Sequence, residues 1–284
     1  MSKGIVCWFS GGITSAVACK IAIDLYGVSR CRVIMMDTKN EDDDTYRFLK
    51  DCEKWYGLPI EIITREKYGS IQEVWRKYLS LNVAKGAVCS TSLKRELRIE
   101  WQAKNEYEYQ VFGFDIDEPK RAKAMTLNYP KAKAIYPLLF HGYTKKKCIG
   151  LLNEAGIEIP VTYKYGFHNN NCFKTGCVQG GIGYWQKMQR EFPDKFNNMA
   201  FMEHELSDIK GKPVTMLKDQ SKKAKNSGNQ LVFLLPHMDY PEIKDISMMK
   251  GREPEPLTDC NGFCGTGDLS HRSPTEAEIN FADE

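Results

Sequence analysis

Ile5 to Phe9 is an unbroken apolar run that leads straight into Ser10-Gly11-Gly12, and a helical pattern follows at once. That succession constrains the fold more than any other stretch of the chain. An apolar run without alternation fits a strand buried on both faces, as in a parallel sheet. The next segment, Thr14 to Tyr26, carries Ala16, Val17, Ile21, Ala22 and Leu25 on or near one face. Gly27 ends it, as a residue free to take positive φ. A strand running into Ser-Gly-Gly and then a helix sets several backbone N–H groups at a positive helix end, where they can cradle an anion. The glycines allow close approach of a phosphate, and the Ser10 and Ser15 hydroxyls add hydrogen bonds.

The same alternation continues. Arg32 to Met36 reads as a second strand ending at Asp37-Thr38, followed by a helix from about Asp43 to Trp55. Its acidic start and the Gly57-Leu58-Pro59 that follows are ordinary helix boundaries. Ile60 to Ile63 is a third strand, Ser70 to Leu79 a helix, and Gln110 to Phe114 a strand running into Asp115, with a helix from about Glu118. Strands alternating with helices imply right-handed crossovers and a mostly parallel α/β sheet with helices on both faces. Ligands of such sheets sit at the carboxyl ends of the strands. Ser10-Gly11-Gly12, Asp37-Thr38 and Gly113 to Asp115 all fall there, so three strand ends on one rim form a candidate site.

After about Pro137 the pattern loosens. A helix near Thr144 to Ala155, an aromatic and Asn-rich stretch from Tyr163 to Asn171, and helical sequence from Gly183 to Glu205 lead to a polar, basic segment, Lys210 to Gly228, expected at the surface. The expected division is an α/β nucleotide-binding domain over 1–140 and a smaller, mainly helical, cysteine-containing part with an irregular tail over 141–284.

The loop lacks the Gly-Lys-Ser/Thr of a Walker A motif and the third spaced glycine of the dinucleotide fingerprint. Phe9-Ser10-Gly11-Gly12-Ile13-Thr14-Ser15 instead resembles the SGGxxS pyrophosphate loop of the adenine nucleotide α-hydrolase superfamily, the N-type ATP pyrophosphatases. Several members place an aspartate before the final serine, where this chain has Thr14. Met36-Asp37-Thr38 followed by Thr45-Tyr46-Arg47-Phe48 is similar to the "DTG…ET…F" segment of phosphoadenosine phosphosulfate (PAPS) reductases, with Lys39 in place of the usual glycine. Cys89 to Lys94 resembles that family's "C…LK" segment, and Gly113-Phe114-Asp115 with Glu118 and Arg121 its "G…D/E…R" segment. Tyr136 to Leu139, then Tyr165-Gly166-Phe167 and Cys172, resemble its later pieces in the family's order. The resemblance implies binding of ATP or a PAPS-like nucleotide, with phosphates on the first loop (Ser10, Gly11, Gly12, Thr14, Ser15) and adenosine near Asp37, Thr38 and Gly113. In ATP-using members it implies attack on the α-phosphorus, with Mg²⁺ and positioned cations neutralising charge. Lys94 and Arg121 are the candidate clamps.

Ten cysteines require an account. Cys7, Cys19, Cys31, Cys52 and Cys148 lie in apolar or helical patterns and read as small buried hydrophobes. Cys89, Cys172, Cys177, Cys260 and Cys264 lie among Gly, Asn, Ser and Thr in loop-like sequence. With no export signal apparent, the expected compartment is the cytoplasm, and a metal or redox role takes precedence over a disulfide framework. Three or four thiolates in one pocket are what zinc or an iron–sulfur cluster requires, and spacing alone does not choose between them. The resemblance tilts the choice, since some reductases of the family and similar DNA-phosphorothioation sulfurtransferases hold a 4Fe–4S cluster with cysteines from these regions. Cys89, Cys172 and Cys177 match, and a fourth ligand would come from Cys260 or Cys264. The alternatives are structural zinc, or no metal with a C-terminal redox dithiol or a nucleophilic Cys264.

A net charge of +3 from 40 basic and 37 acidic side chains argues against a dedicated nucleic-acid coat protein while leaving room for a local basic patch. Lys145-Lys146-Lys147 and Lys218 to Lys225 are such stretches, each otherwise a solvated face. No apolar run approaches the roughly 20 residues that span a bilayer, so no membrane partner is expected. The reading leaves open a small-molecule or nucleic-acid acceptor, a thiol electron donor or sulfur-donor protein, a homodimer, ATP-dependent nucleobase or tRNA modification with zinc, and a nucleotide-binding regulator without turnover.

Overall fold

A computed structural model describes residues 4–83 and 86–257. In chain order the first half runs β1 (Ile5–Phe9), α1 (Ile13–Tyr26), β2 (Cys31–Met36), α2 (Asp43–Tyr56), β3 (Ile60–Ile63), α3 (Ile71–Tyr78), a short hairpin of β4 (Asn82–Val83) and β5 (Gly86–Ala87), α4 (Val88–Ser90), a π-helical turn (Thr91–Arg95) and α5 (Glu96–Lys104). It continues through β6 (Tyr109–Val111), α6 (Pro119–Asn128), β7 (Ala134–Ile135), α7 (Pro137–His141), α8 (Lys145–Glu154) and α9 (Val161–Lys164). The remainder is α10 (Ile182–Glu191), α11 (Pro193–Lys210), β8 (Leu217–Lys218), α12 (Lys222–Ser227), β9 (Leu231–Phe233) and β10 (Lys244–Asp245).

Five strands form one all-parallel sheet in the order β3-β2-β1-β6-β7. The expected α/β architecture is therefore present, and β1 sits at its centre. Its five residues are all buried because both faces are covered. Ile5, Cys7 and Phe9 pack with α1, α2 and α8, while Val6 and Trp8 pack with Trp101, Phe112 and Met125 on the other side. The strand order reverses between β1 and β6, and that reversal opens a crevice at their carboxyl ends.

A third cluster joins α3, Cys89 and Leu93 to the cysteine loop, α10, α11 and the three-stranded sheet β10-β9-β8. That sheet is a departure from the sequence reading. Lys210 to Gly228 is not a surface segment throughout, since Val214, Met216 and Leu217 are buried and β8 pairs with β9. The helical stretch expected from Gly183 to Glu205 is broken at Phe192, where Pro193 opens α11. Proline is favoured at a first helical turn because its missing N–H is not needed there. Cys7, Cys19, Cys31, Cys52 and Cys148 are buried as expected, and burial raises the thiol pKa of Cys52 and of Cys148 to about 12.

Candidate functional site

The loop between β1 and α1 is shaped by Ser15. Its hydroxyl accepts from the Ser10 N–H at 3.0 Å and the Ser10 hydroxyl at 2.9 Å, and donates to the Gly12 carbonyl at 2.9 Å. Gly11 takes φ +81°, and a Cβ there would stand 2.6 Å from Thr45 Cγ2. Helix α1 begins without a side-chain cap and without an acidic residue in its first turn. No carboxylate of the helix's own first turn offsets its positive end, which suits an anion. Gly113, at the end of β6, lies against this turn, and a Cβ on it would meet Ser15 Cα and N at 2.6 Å. A glycine is required there so that β6 and α1 can converge.

Two residues from beyond α8 close the loop. The Asn170 amide donates to the Gly11 carbonyl at 2.8 Å and to Thr45 Oγ1 at 3.0 Å, while its own oxygen accepts from Thr162 at 2.8 Å. The Tyr163 hydroxyl accepts from the Ile13 N–H at 3.4 Å. Neither contact follows from local sequence, although both residues fall in the aromatic and Asn-rich stretch.

At the end of β2, Asp37 Oδ1 accepts from the Lys39 N–H at 2.7 Å and the Tyr46 hydroxyl at 2.9 Å. Burial, together with the Asp37 charge, raises the Tyr46 pKa. Lys39 has φ +60°, which explains why a glycine is usual at this position in the family it resembles. Thr38 donates to Glu41 Oε1 at 3.0 Å, and its Oγ1 lies 3.4 Å from Cys172 Sγ. Lys94, projecting from the π-helical turn, lies 3.4 Å from the same Glu41 oxygen. Both side chains are buried, so Lys94 is an internal cation at the rim and not a solvated one. Arg121 pairs with Glu118 and lies over the Phe114 ring at 4.6 Å. It therefore sits beside the strand end that carries Gly113 and Asp115.

The cysteine loop is fastened to this rim. The Asn40 carbonyl accepts from the Phe173 and Lys174 N–H groups at 3.1 and 3.2 Å, and the Asn40 amide donates to Thr175 at 2.8 Å. Cys89, Cys172 and Cys177 line one small cavity together with Ile71, Trp75, Ala87, Gly176, Val178 and Gln179. Cys89 comes from the first turn of the helix, and the other two come from opposite ends of the loop. The Asn171 amide lies 3.8 Å from Cys177 Sγ, and the Tyr184 hydroxyl accepts from the Cys177 N–H at 3.1 Å. Burial and the neighbouring cysteines raise the Tyr184 pKa, which keeps that hydroxyl neutral. Three sulfurs from two segments around one buried space are a donor set suited to a thiophilic metal or cluster. Cys260 and Cys264 lie outside the described residues.

Sequence reasoning singled out Cys89, Cys172 and Cys177 and the three strand ends, and these are brought together. It missed Asn40, Glu41 and Asn170, whose only local signal was polarity next to a motif. His204 and His237 have ring centroids 4.5 Å apart, and ligand atoms of Asp208, His237 and Asp239 lie within 4.8 Å of one another. His237 Nδ1 accepts from the Asp239 N–H at 3.2 Å, which leaves Nε2 as the protonated nitrogen facing Asp208 at 3.3 Å. Nε2 lies within ion-pair range of Asp208 but makes no hydrogen bond.

A parallel sheet reversing at β1 and β6, with a glycine loop leading into a helix that lacks a side-chain cap at the reversal, is an adenine nucleotide α-hydrolase-like α/β fold. The family model of the phosphoadenosine phosphosulfate reductase domain matches residues 4–175, and the chain belongs to that family. An uncharacterized protein of Methanocaldococcus jannaschii is 25% identical over 211 residues, covering 70% of this chain; the chain spans 42% of that relative's length. Among solved structures, a PAPS reductase from Candida auris in a phosphate complex has TM-score 0.44 at 14% identity, over 60% of this chain and 81% of that one. The U34-tRNA thiolase NcsA from Methanococcus maripaludis, with its 4Fe–4S cluster, has TM-score 0.43 at 15% identity, over 72% and 73%. Among the described residues, no helix is long and apolar enough to cross a membrane.

Proposed function

We propose that this chain is an adenylyl-nucleotide enzyme of sulfur chemistry that works at one composite site. The phosphates of ATP or a PAPS-like nucleotide bind at Ser10, Gly11, Gly12, Thr14 and Ser15, with Mg²⁺ where ATP is used. The adenosine lies toward Asp37, Thr38 and Gly113. The observation that carries this reading is the 3.4 Å approach of Thr38 Oγ1 to Cys172 Sγ, which joins the nucleotide rim to the cysteine cavity. Lys94 and Arg121 act as cations that offset charge developing on the phosphates, since preorganised charge is the main resource of such sites.

Cys89, Cys172 and Cys177 fit a 4Fe–4S cluster, with Cys260 or Cys264 as the fourth ligand. They are thiols from two segments that line one buried cavity. When bound, such a cluster supplies redox-active iron within a protein environment. The chain's own residues hold it beside the nucleotide, exclude water through Trp75 and Val178, and keep the neighbouring Tyr184 hydroxyl protonated. If the fourth ligand is Cys260, Cys264 remains as the reactive thiol.

The test is anaerobic purification with iron, sulfide and zinc analysis, an absorbance spectrum, and titration with ATP and PAPS. Iron and sulfide that fall sharply in Cys172→Ser and Cys177→Ser, with micromolar nucleotide binding that Ser10→Ala weakens, is the expected outcome. One zinc per chain would shift the reading to ATP-dependent nucleobase modification. Loss of both metal and nucleotide binding would overturn it.

A further inference from the structure

A second, larger cavity adjoins the end of the cysteine loop. Its wall is formed by the turn Gln179-Gly180-Gly181, the start of α10, β8 and the segment that carries Arg252 and Glu255. Gln179 lines this cavity and the cysteine cavity alike. The two spaces therefore share a wall residue, half-buried between them.

The chemistry of the larger wall is specific. Lys218 and Arg252, both exposed, outnumber the carboxylate of Glu255, and Asn82, Gln179 and Gln220 contribute neutral amides. Gly181 has nothing within 4 Å of where a Cβ would stand, so the backbone at the mouth is open to a ligand. Gly183 has no such room, since a Cβ there would run into the Glu253 carbonyl. The Arg252 N–H donates to Gln186 at 3.0 Å, which fixes the segment bearing this cation against α10. Lys222, Lys223 and Lys225 follow Lys218 closely in sequence and are exposed. Cations on the wall, amide donors and an accessible glycine backbone are groups that recognise phosphoesters.

We propose that this cavity binds a phosphate-bearing acceptor and directs it past Gln179 toward Cys89, Cys172 and Cys177. That the ligand is an acceptor rests on the function proposed above, whereas the binding of phosphate there does not. The basic stretch Lys218 to Lys225 thereby gains a role, because its first residue lies in the cavity wall.

The experiment is fluorescence anisotropy of the full chain with a labelled single-stranded RNA 12-mer across a salt series, in competition with unlabelled mononucleotide. Metal content and ATP binding are measured on the same samples. Wild type is expected to bind, and the exposed-residue variants Lys218→Ala and Arg252→Ala to lose at least tenfold in affinity when combined. The slope of log K against log salt should fall by about 0.7 for each phosphate that the variant no longer neutralises. Competition by mononucleotide at equal phosphate concentration would assign the site to a small nucleotide, and its failure to compete would assign it to a strand. Either supports the phosphate site. Binding indifferent to both substitutions, or absent, overturns it. Lys218-dependent binding in a chain with neither metal nor ATP affinity would uphold the phosphate cavity and remove the enzyme reading.

Discussion

Gly113 shows how one missing carbon sets the site. Its backbone touches that of Ser15, so an added methyl has no flexible side chain to displace. Gly113→Ala should destabilise the fold by about 1–3 kcal/mol through overpacking. It should also lower adenine-nucleotide affinity at least tenfold, because the first turn of α1 must move. Urea denaturation and nucleotide titration measure the two effects, and a variant that keeps both would contradict the role given to this contact. The sequence marked Gly113 as a strand-end residue but not as a contact to Ser15, since the two lie far apart in the chain. Lys39 is the reverse case. The resemblance flagged it as a replacement for glycine, and its φ of +60° gives the physical reason.

At the scale of elements, legibility follows length. Strands β1 and β2 run five and six residues and read clearly from their apolar runs. Strands β8, β9 and β10 are two or three residues long, too short for any period to register. The π-helical turn that carries Lys94 has no sequence signature either, and turns of this kind are frequent at functional sites. Helix α11 meets the small sheet through Glu203, which is fully buried and accepts from the Met216 and Leu234 N–H groups, both at 2.7 Å. Burial pushes its pKa up to about 8, although the two donors pull the other way. The native state thus holds a proton that the unfolded chain releases above its ordinary value of 4.5. This group's contribution to stability is therefore full below that value and is lost as pH rises toward 8. Glu203→Gln should flatten that part of the pH dependence while costing about 1–3 kcal/mol for the N–H left facing an amide. Urea midpoints at pH 5 and pH 8 for both proteins decide it, and parallel pH dependences would refute the assignment.

At the scale of the molecule, the two halves of the site are held together by backbone and amide contacts through Asn40 and Asn170. Sequence pattern placed the nucleotide loop and the three cysteines in separate regions and could not register the distance between them. That distance is set by long-range packing of the third cluster around Trp75, Trp185 and Phe196. Asn40→Ala should leave the parallel sheet folded yet release Thr175, so nucleotide affinity and metal retention should fall together, by several-fold each. Calorimetric titration and metal analysis after dialysis read the two quantities, and a change in one alone would separate the cavities.

The Asn40 carbonyl holds two N–H groups of the cysteine loop at once, so under the proposed function a metal in the cysteine cavity and a nucleotide at the rim would share one equilibrium. By reciprocity, whatever factor the metal lends to nucleotide affinity, the nucleotide must return to metal affinity. A preparation's metal inventory would then be written into its nucleotide dissociation constant. On the function proposed above, iron supply would then alter the chain's hold on adenine nucleotide without any change in the amount of protein.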